Sequence, residues 1–317
     1  MGHDGGVQIT EEFPDHVLLT PATTATPQPG YRDAAGGRTP EQLARTAVSA
    51  AASAARHVRS TRGAVAGEDG RVPVASTKSS QVDPVTAVDR SSEALIRGLL
   101  EQSAPGDAVL GEEGGERAGG GGVTWVVDPV DGTVNFIYGL PAVAVSVAAV
   151  VDGEPVAAAV ADVFRARVYS AWTGGPAVVA GERSATASSL PGPDLGLADM
   201  SRALVATGFS YRAERRTRQA ELLGRLLPGI RDIRRAGSAA LDLCAVASGG
   251  VDAYYEHGLG PWDHAAGALI AARSGAWVCM PRLTAGYAEG VGVLAASPGV
   301  FSELAGHVLD TAMPYTG

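Results

Sequence analysis

The sequence predicts a mixed protein in two halves, the first α+β, with two helices and an antiparallel-looking sheet, the second α/β. Three observations predict this. Apolar residues recur at helical spacing in two early segments. A series of short strand-like runs with turn signals follows them. Beyond "LPGPDLGLADMS" strand-like and helix-like stretches then alternate to the end of the chain. The length of 317 residues, 45% of them hydrophobic, allows a sizeable core in one or two domains.

In chain order, residues 1–38 are rich in Thr, Pro, Gly and Ala without periodicity and are expected to be a disordered tail. The first helix is expected at Thr39, a good N-cap with Pro40 at the first helical position and Gln42 to complete a capping box. Leu43, Ala47, Ala51, Ala54 and Val58 follow at helical spacing. The polar "STKSSQVDPVTAVD" leads to a second helix with Leu95, Ile96, Leu99 and Leu100 on one face. "AVLG" reads as a strand running into a glycine-rich loop, in which Gly119–Gly122 is expected to be a flexible lid or linker because no lysine or helix start follows it. "VTWVVD" and the stretch from Ala142 to Trp172 read as adjacent strands, with a turn at Asp152-Gly153. The expected division is 39–197 for the first half and 198–317 for the second. In the latter "RALVATG", "VDAYYE" and "GVGVLAAS" read as strands between helices.

Several classes are not expected. No run approaches the roughly 18 apolar residues of a membrane span, and the first residues lack the basic and apolar regions of a secretory signal. Cys244 and Cys279 form no C-x-x-C pair, so a reducing cytoplasm is the expected setting. A net charge of −9 argues against a dedicated nucleic-acid binder. The 25 basic residues include a single lysine, Lys78, where a compact ammonium could be needed that a guanidinium cannot replace.

The chemistry concentrates in "WVVDPVDGTVNF", Trp125 to Phe136. Asp128 closes an apolar strand, Pro129 interrupts its hydrogen bonding and Asp131 follows on a turn. Two carboxylates this close repel unless a cation neutralises them, and oxygen ligands without His or Cys point to Mg²⁺ rather than zinc. Gly132 and Thr133 open a short helix whose free N–H groups can hold phosphate. The same D-P-x-D-G is also an ordinary turn sequence, so other segments must contribute. "GEEGG" offers Glu112 and Glu113, otherwise a solvated loop; Asp263 in "GPWDHAAG" and Asp89 in "DPVTAVD" stand at helix starts, where each could be only a cap. Ser238 is the obvious cap of the helix after Gly237. The six histidines form no zinc spacing, and His257 and His264 are expected to be solvated or in the core.

Taken together and in this order, "GEE", "WVVDPVDGTVNFIYGLP" and "PWDHAAG" resemble the inositol monophosphatase family of Mg²⁺-dependent, lithium-sensitive phosphatases. "KSSQVDPVTAVD" and "RRAGSAALDLCAVASGGVDAYYEHG" fit as well, so the resemblance covers roughly residues 40–312. It implies the five-layer αβαβα sandwich of the inositol monophosphatase and fructose-1,6-bisphosphatase type, commonly dimeric. It also implies two to three Mg²⁺ ions. Glu112, Asp128 and the Val130 carbonyl would hold the first, and Asp128, Asp131 and Asp263 the second. A third would sit on Glu112, with Glu113 behind the ligands. Thr133 and Asp89 would orient and deprotonate the attacking water, and the amides of Gly132 and Thr133 would hold the phosphate. Gly237, Ser238, Ala239 and Glu256 would face the substrate hydroxyls, and Lys78 would stand in a mobile loop near the metals. "SGAWVCMPRLTAG" departs from the family pattern and leaves the local strand and turn open.

Val134-Asn135-Phe136 after D-G-T favours the inositol phosphatase branch over the adenosine bisphosphate phosphatases. A small phosphorylated polyol, first of all inositol 1-phosphate, is the expected substrate, with histidinol phosphate and fructose 1,6-bisphosphate as alternatives. A homodimer is the expected assembly. A function of another class, a transcription- or RNA-associated binding factor, would use the arginine-rich segment Arg212–Arg235, which is otherwise a solvated helix face.

Overall fold

Thr39 accepts a hydrogen bond from the Gln42 N–H and receives the Gln42 side chain in return, so the helix Pro40–Val65 starts with the capping box its sequence spells. The computed structural model describes residues 16–78, 84–284, 288–309 and 313–314. The second helix, Ala87–Ser103, lies beside the first and starts with a similar box between Thr86 and Asp89. Both bury their alanine- and leucine-rich faces against one side of an eight-stranded sheet.

That sheet runs, edge to edge, through Ala187–Ser189, Val178–Gly181, Arg167–Trp172, Glu154–Asp162, Ala144–Val151, Thr124–Asp131, Ala108–Gly111 and Gly115–Arg117. Its pairings are antiparallel except between 108–111 and 124–131, which run parallel. The 87–103 helix connects into this parallel pair from outside the sheet. The chain leaves the sheet after Ser189 and enters a second one at Leu204. The second sheet has six strands in the order His16–Leu19, Trp277–Pro281, Gly292–Ala296, Ala253–His257, Leu204–Thr207 and Asp232–Arg234.

Helices Ala239–Ala247 and Pro261–Ser274 fill the space between the sheets. One of their sides packs on Val126, Ala144, Ala148 and Val160 of the first sheet, and the other on Tyr254, Val278, Val293 and Ala295 of the second. Helices Ala213–Leu226 and Pro298–Val308 cover the outer side of the second sheet. The four apolar clusters are thus the four seams of a five-layer αβαβα sandwich.

Two expectations are corrected here, and one open question is answered. The segment 1–38 is not a disordered tail over its described part. His16–Leu19 pairs with Trp277–Pro281 as an edge strand, Tyr31–Ala34 forms a helical turn, and Arg38 grips Asp107 through two bonds of 2.6 and 2.8 Å. Residues 1–15 lie outside the described residues. The glycine run is not a free lid. A Cβ at Gly121 would stand 2.2 Å from the Asp107 carboxylate and one at Gly122 1.7 Å from the Ala34 carbonyl, so glycine there permits close packing. Finally, the departure at "SGAWVCMP" does not cost a strand, because Trp277–Pro281 is held between Gly292–Ala296 and His16–Leu19.

Candidate metal and phosphate site

Asp128 and Asp131 lie three residues apart in one strand, a spacing that in a regular strand turns two side chains to opposite faces. The register with the neighbouring strand shifts between them, from Asp128 opposite Ser146 to Asp131 opposite Ala144. This bulge at Pro129 and Val130 brings both carboxylates to one side. The Val130 N–H closes the turn by donating to Asp128 Oδ1 at 2.9 Å.

The third carboxylate arrives from the helix 261–274. Its Asp263 Oδ2 accepts the Gly260 N–H at 2.7 Å, so Asp263 does cap its helix, and it also reaches the cluster. One oxygen from each of Asp128, Asp131 and Asp263 lies within 4.8 Å of the others. Glu112, which follows the strand 108–111, and the backbone of Val130 line the same cavity of about 270 Å³. Thr133, Gly237, Ala239 and Glu256 line it too.

The electrostatics are those of a site built for positive charge. Burial, then Glu112, Asp131 and Asp263, hold the Asp128 carboxyl well above the usual range; burial, then Glu112 and Asp131, do the same for Asp263. Burial pushes Asp131 up to about 6, against the hydrogen bonds it accepts from Ser238 Oγ at 2.5 Å and the Ala240 N–H at 2.8 Å. Burial also raises Glu112 to about 7, although Lys78 pulls it down. Lys78 Nζ stands 2.7 Å from Glu112 and 2.5 Å from Glu113; burial would lower its pKa, but these carboxylates raise it overall. The donors are all oxygen, and their mutual repulsion is what a hard divalent cation would relieve, so the residues fit Mg²⁺.

Other expected residues fall in more than one place. Asp89 sits behind Thr133 rather than on the cavity wall. Its Oδ1 accepts the Thr133 hydroxyl at 2.9 Å, its Oδ2 accepts the Thr86 N–H at 2.9 Å, and burial raises its pKa. Glu113 pairs with Lys78, and its N–H donates to Glu93. Ser238, expected to face the substrate hydroxyls, is buried; its hydroxyl donates to Asp131 and caps the helix start that Asp131 abuts. His257 and His264 are core residues, lowered by burial to about 4 and about 3. The arginine run is not one surface. Arg215 is buried and donates to the carbonyls of Met313 and Ala288, while Arg235 lines the cavity.

Some contacts within the site had no local signal in the sequence. The Asn135 Nδ2 donates to the carbonyls of Ala142 and Ala236 at 2.8 and 2.9 Å, tying the Asp131 turn to the segment before Ser238. Gly132, at φ +92°, has no room for a Cβ, which would stand 2.6 Å from the Ala142 carbonyl. Gly208, Phe209 and Tyr211 supply another wall of the cavity. A glycine directly after a strand was the only mark they left in the sequence.

Fold and site together define a layered α/β sandwich whose carboxylate cluster suits a hard metal ion. Within that class the sequence matches the inositol monophosphatase family over residues 39–312, and the chain belongs to that family. It is 51% identical over 276 residues to the Mycobacterium tuberculosis protein named inositol-1-monophosphatase SuhB, covering 84% of this chain and 92% of that one. It is 41% identical over 205 residues to the Salmonella typhimurium protein named Nus factor SuhB, covering 63% and 73%. The solved structure of Mycobacterium tuberculosis SuhB superimposes with a TM-score of 0.71 at 47% identity, over 85% of this chain and 96% of that one.

Proposed function

We propose that the protein is a Mg²⁺-dependent phosphate monoester hydrolase whose first substrate is inositol 1-phosphate, working with two to three ions as a cytoplasmic homodimer. The observation that carries the reading is the convergence of Asp128, Asp131 and Asp263 at one end of a cavity that Glu256 lines at another wall. Glu112, Asp128, the Val130 carbonyl, Asp131 and Asp263 would hold the metal. Bound there, Mg²⁺ supplies Lewis-acid chemistry, acidifying water and neutralising charge on phosphoryl oxygens.

The chain's own residues do the rest. The N–H groups of Gly132 and Thr133, which open the helix Thr133–Tyr138, are free of partners within it and receive the phosphate. Thr133 Oγ1 orients the attacking water. Its bond to Asp89 gives the proton a path to a carboxylate that burial has made more basic than an exposed aspartate. Lys78 offsets charge at the mouth through Glu112 and Glu113. Glu256 accepts hydrogen bonds from the hydroxyls of the leaving polyol.

Phosphate release from inositol 1-phosphate, histidinol phosphate and fructose 1,6-bisphosphate, with Mg²⁺ varied and lithium added, tests this. Fast, Mg²⁺-dependent, lithium-inhibited release favouring inositol 1-phosphate is expected. Preference for another of the three keeps the site and changes the substrate, and silence on all three overturns the reading. The Nus factor name of one relative supports a second role in binding. Exposed Arg216, Arg218, Arg225 and Arg231 would serve it, and a pull-down that needs these arginines but not Asp131 would be its signature.

A further inference from the structure

In the strand Ala253–His257, residues 254 and 256 share a face because side chains alternate along a strand. That face looks inward, to the helices between the sheets. Tyr254 is fully buried there, and Glu256, two residues on, reaches the cavity. The Tyr254 hydroxyl donates to Glu256 Oε2 at 2.9 Å. The neighbouring strand, Leu204–Thr207, runs parallel with Thr207 opposite Tyr255, so Gly208 comes level with Glu256. A Cβ on Gly208 would lie 1.8 Å from Glu256 Oε2 and 2.5 Å from Oε1. The carboxylate therefore lies against bare backbone at Gly208, and the oxygen nearest that backbone is held by the phenol. Burial, followed by the nearby carboxylates of Glu256 and Asp242, holds the Tyr254 phenol protonated, so it stays a donor.

We infer that Tyr254 and Gly208 are positioning residues that fix the Glu256 carboxylate for the substrate's hydroxyl groups, and so set the preference for polyol phosphates. The inference rests on the proposed hydrolysis of a phosphorylated polyol. Tyr254 does not line the cavity and acts only through Glu256. Its loss should therefore weaken recognition of hydroxyls and leave the phosphoryl chemistry at the aspartates unchanged.

Steady-state kinetics with Mg²⁺ on inositol 1-phosphate and on p-nitrophenyl phosphate, which has no alcohol hydroxyls, test it. The proteins are the wild type, Tyr254→Phe, Gly208→Ala, Glu256→Ala and the double variant Tyr254→Phe/Glu256→Ala. For Tyr254→Phe, loss of one hydrogen bond predicts a KM for inositol 1-phosphate raised about fivefold. Its kcat should stay within about twofold, and its KM for p-nitrophenyl phosphate should not move. Gly208→Ala should also raise the KM for inositol 1-phosphate, since the added Cβ falls on Glu256 Oε2, the oxygen that the Tyr254 hydroxyl holds. Tyr254→Phe should add nothing once Glu256 is Ala, because the two act as a unit. Equal losses on both substrates, or full additivity in the double variant, overturn the inference. A wild type that cleaves p-nitrophenyl phosphate but not inositol 1-phosphate overturns the proposed substrate instead, and the inference with it.

Discussion

Asp263 caps a helix and completes a cluster with the same carboxylate. An asparagine there keeps an oxygen that can accept the Gly260 N–H but loses the charge. Asp263→Asn should thus melt within a few degrees of the wild type and lose activity by about two orders of magnitude, the cost of removing one charge-stabilising group. Turnover near wild type at low Mg²⁺ would leave Asp263 as a helix cap only. At this scale the sequence was legible wherever chemistry required a charge. Asp128, Asp131 and Asp263 stand in short motifs whose residue types name the ligand. Ser238 and Asn135 were not legible in the same way. Their partners are a carboxylate 107 residues away and a carbonyl 101 residues away, and nothing local marks a hydroxyl or amide for such a bond.

Among elements, the site depends on a strand that breaks its own regularity. The bulge between Asp128 and Asp131 turns an unfavourable spacing into a shared face, and Pro129, with no N–H to donate, makes that break tolerable. Asn135 then ties this turn to the segment leading into the 239–247 helix, whose start holds Asp131. Asn135→Ala takes the donor from two part-buried hydrogen bonds, at a cost of about 1 kcal/mol. Chemical denaturation should show that loss, and the activity should fall more than tenfold even in the folded fraction, because the two aspartates lose their common brace. The helices were readable from their caps and spacing, and the strands from their composition. The parallel pairing of 108–111 with 124–131 was not, since the segment that joins them holds only the short strand Gly115–Arg117 and the glycine loop, and neither marks strand direction locally.

For the molecule as a whole, burial of acids has a consequence for stability. Burial raises Glu112 and Glu256 to about 7, Asp131 to about 6 and Asp242 to about 8. All lie above their unfolded values near 4. Between about pH 4 and pH 8 the fold binds protons that the unfolded chain has released, so this set makes the metal-free protein less stable as pH rises. Thermal melts of metal-free protein should show Tm falling from pH 5 to pH 8. Excess Mg²⁺ should flatten the fall, since it binds the ionised native cluster and not the unfolded chain. An unchanged slope would mean the carboxylates hold no cation.

The edge strand His16–Leu19 belongs to this scale as well. Four residues in a Thr- and Pro-rich stretch are too few to read as a strand, and their partner lies at the other end of the chain. Leu18 and Leu19 are buried, so deleting residues 1–19 should cost about 3–6 kcal/mol. Denaturant titration of the shortened chain checks this, and no loss would make the strand dispensable.

The His16 ring meets the Gly292 carbonyl at 2.9 Å across 276 residues of sequence. On a ribosome the strand is therefore made long before the strand it pairs with. At about 5–20 residues per second it waits roughly 15–55 s with Val17, Leu18 and Leu19 in the open before its partner emerges. A nascent chain in that state needs dilution or a chaperone over this segment, and the finished sheet is closed at one edge by a strand made well ahead of its neighbour.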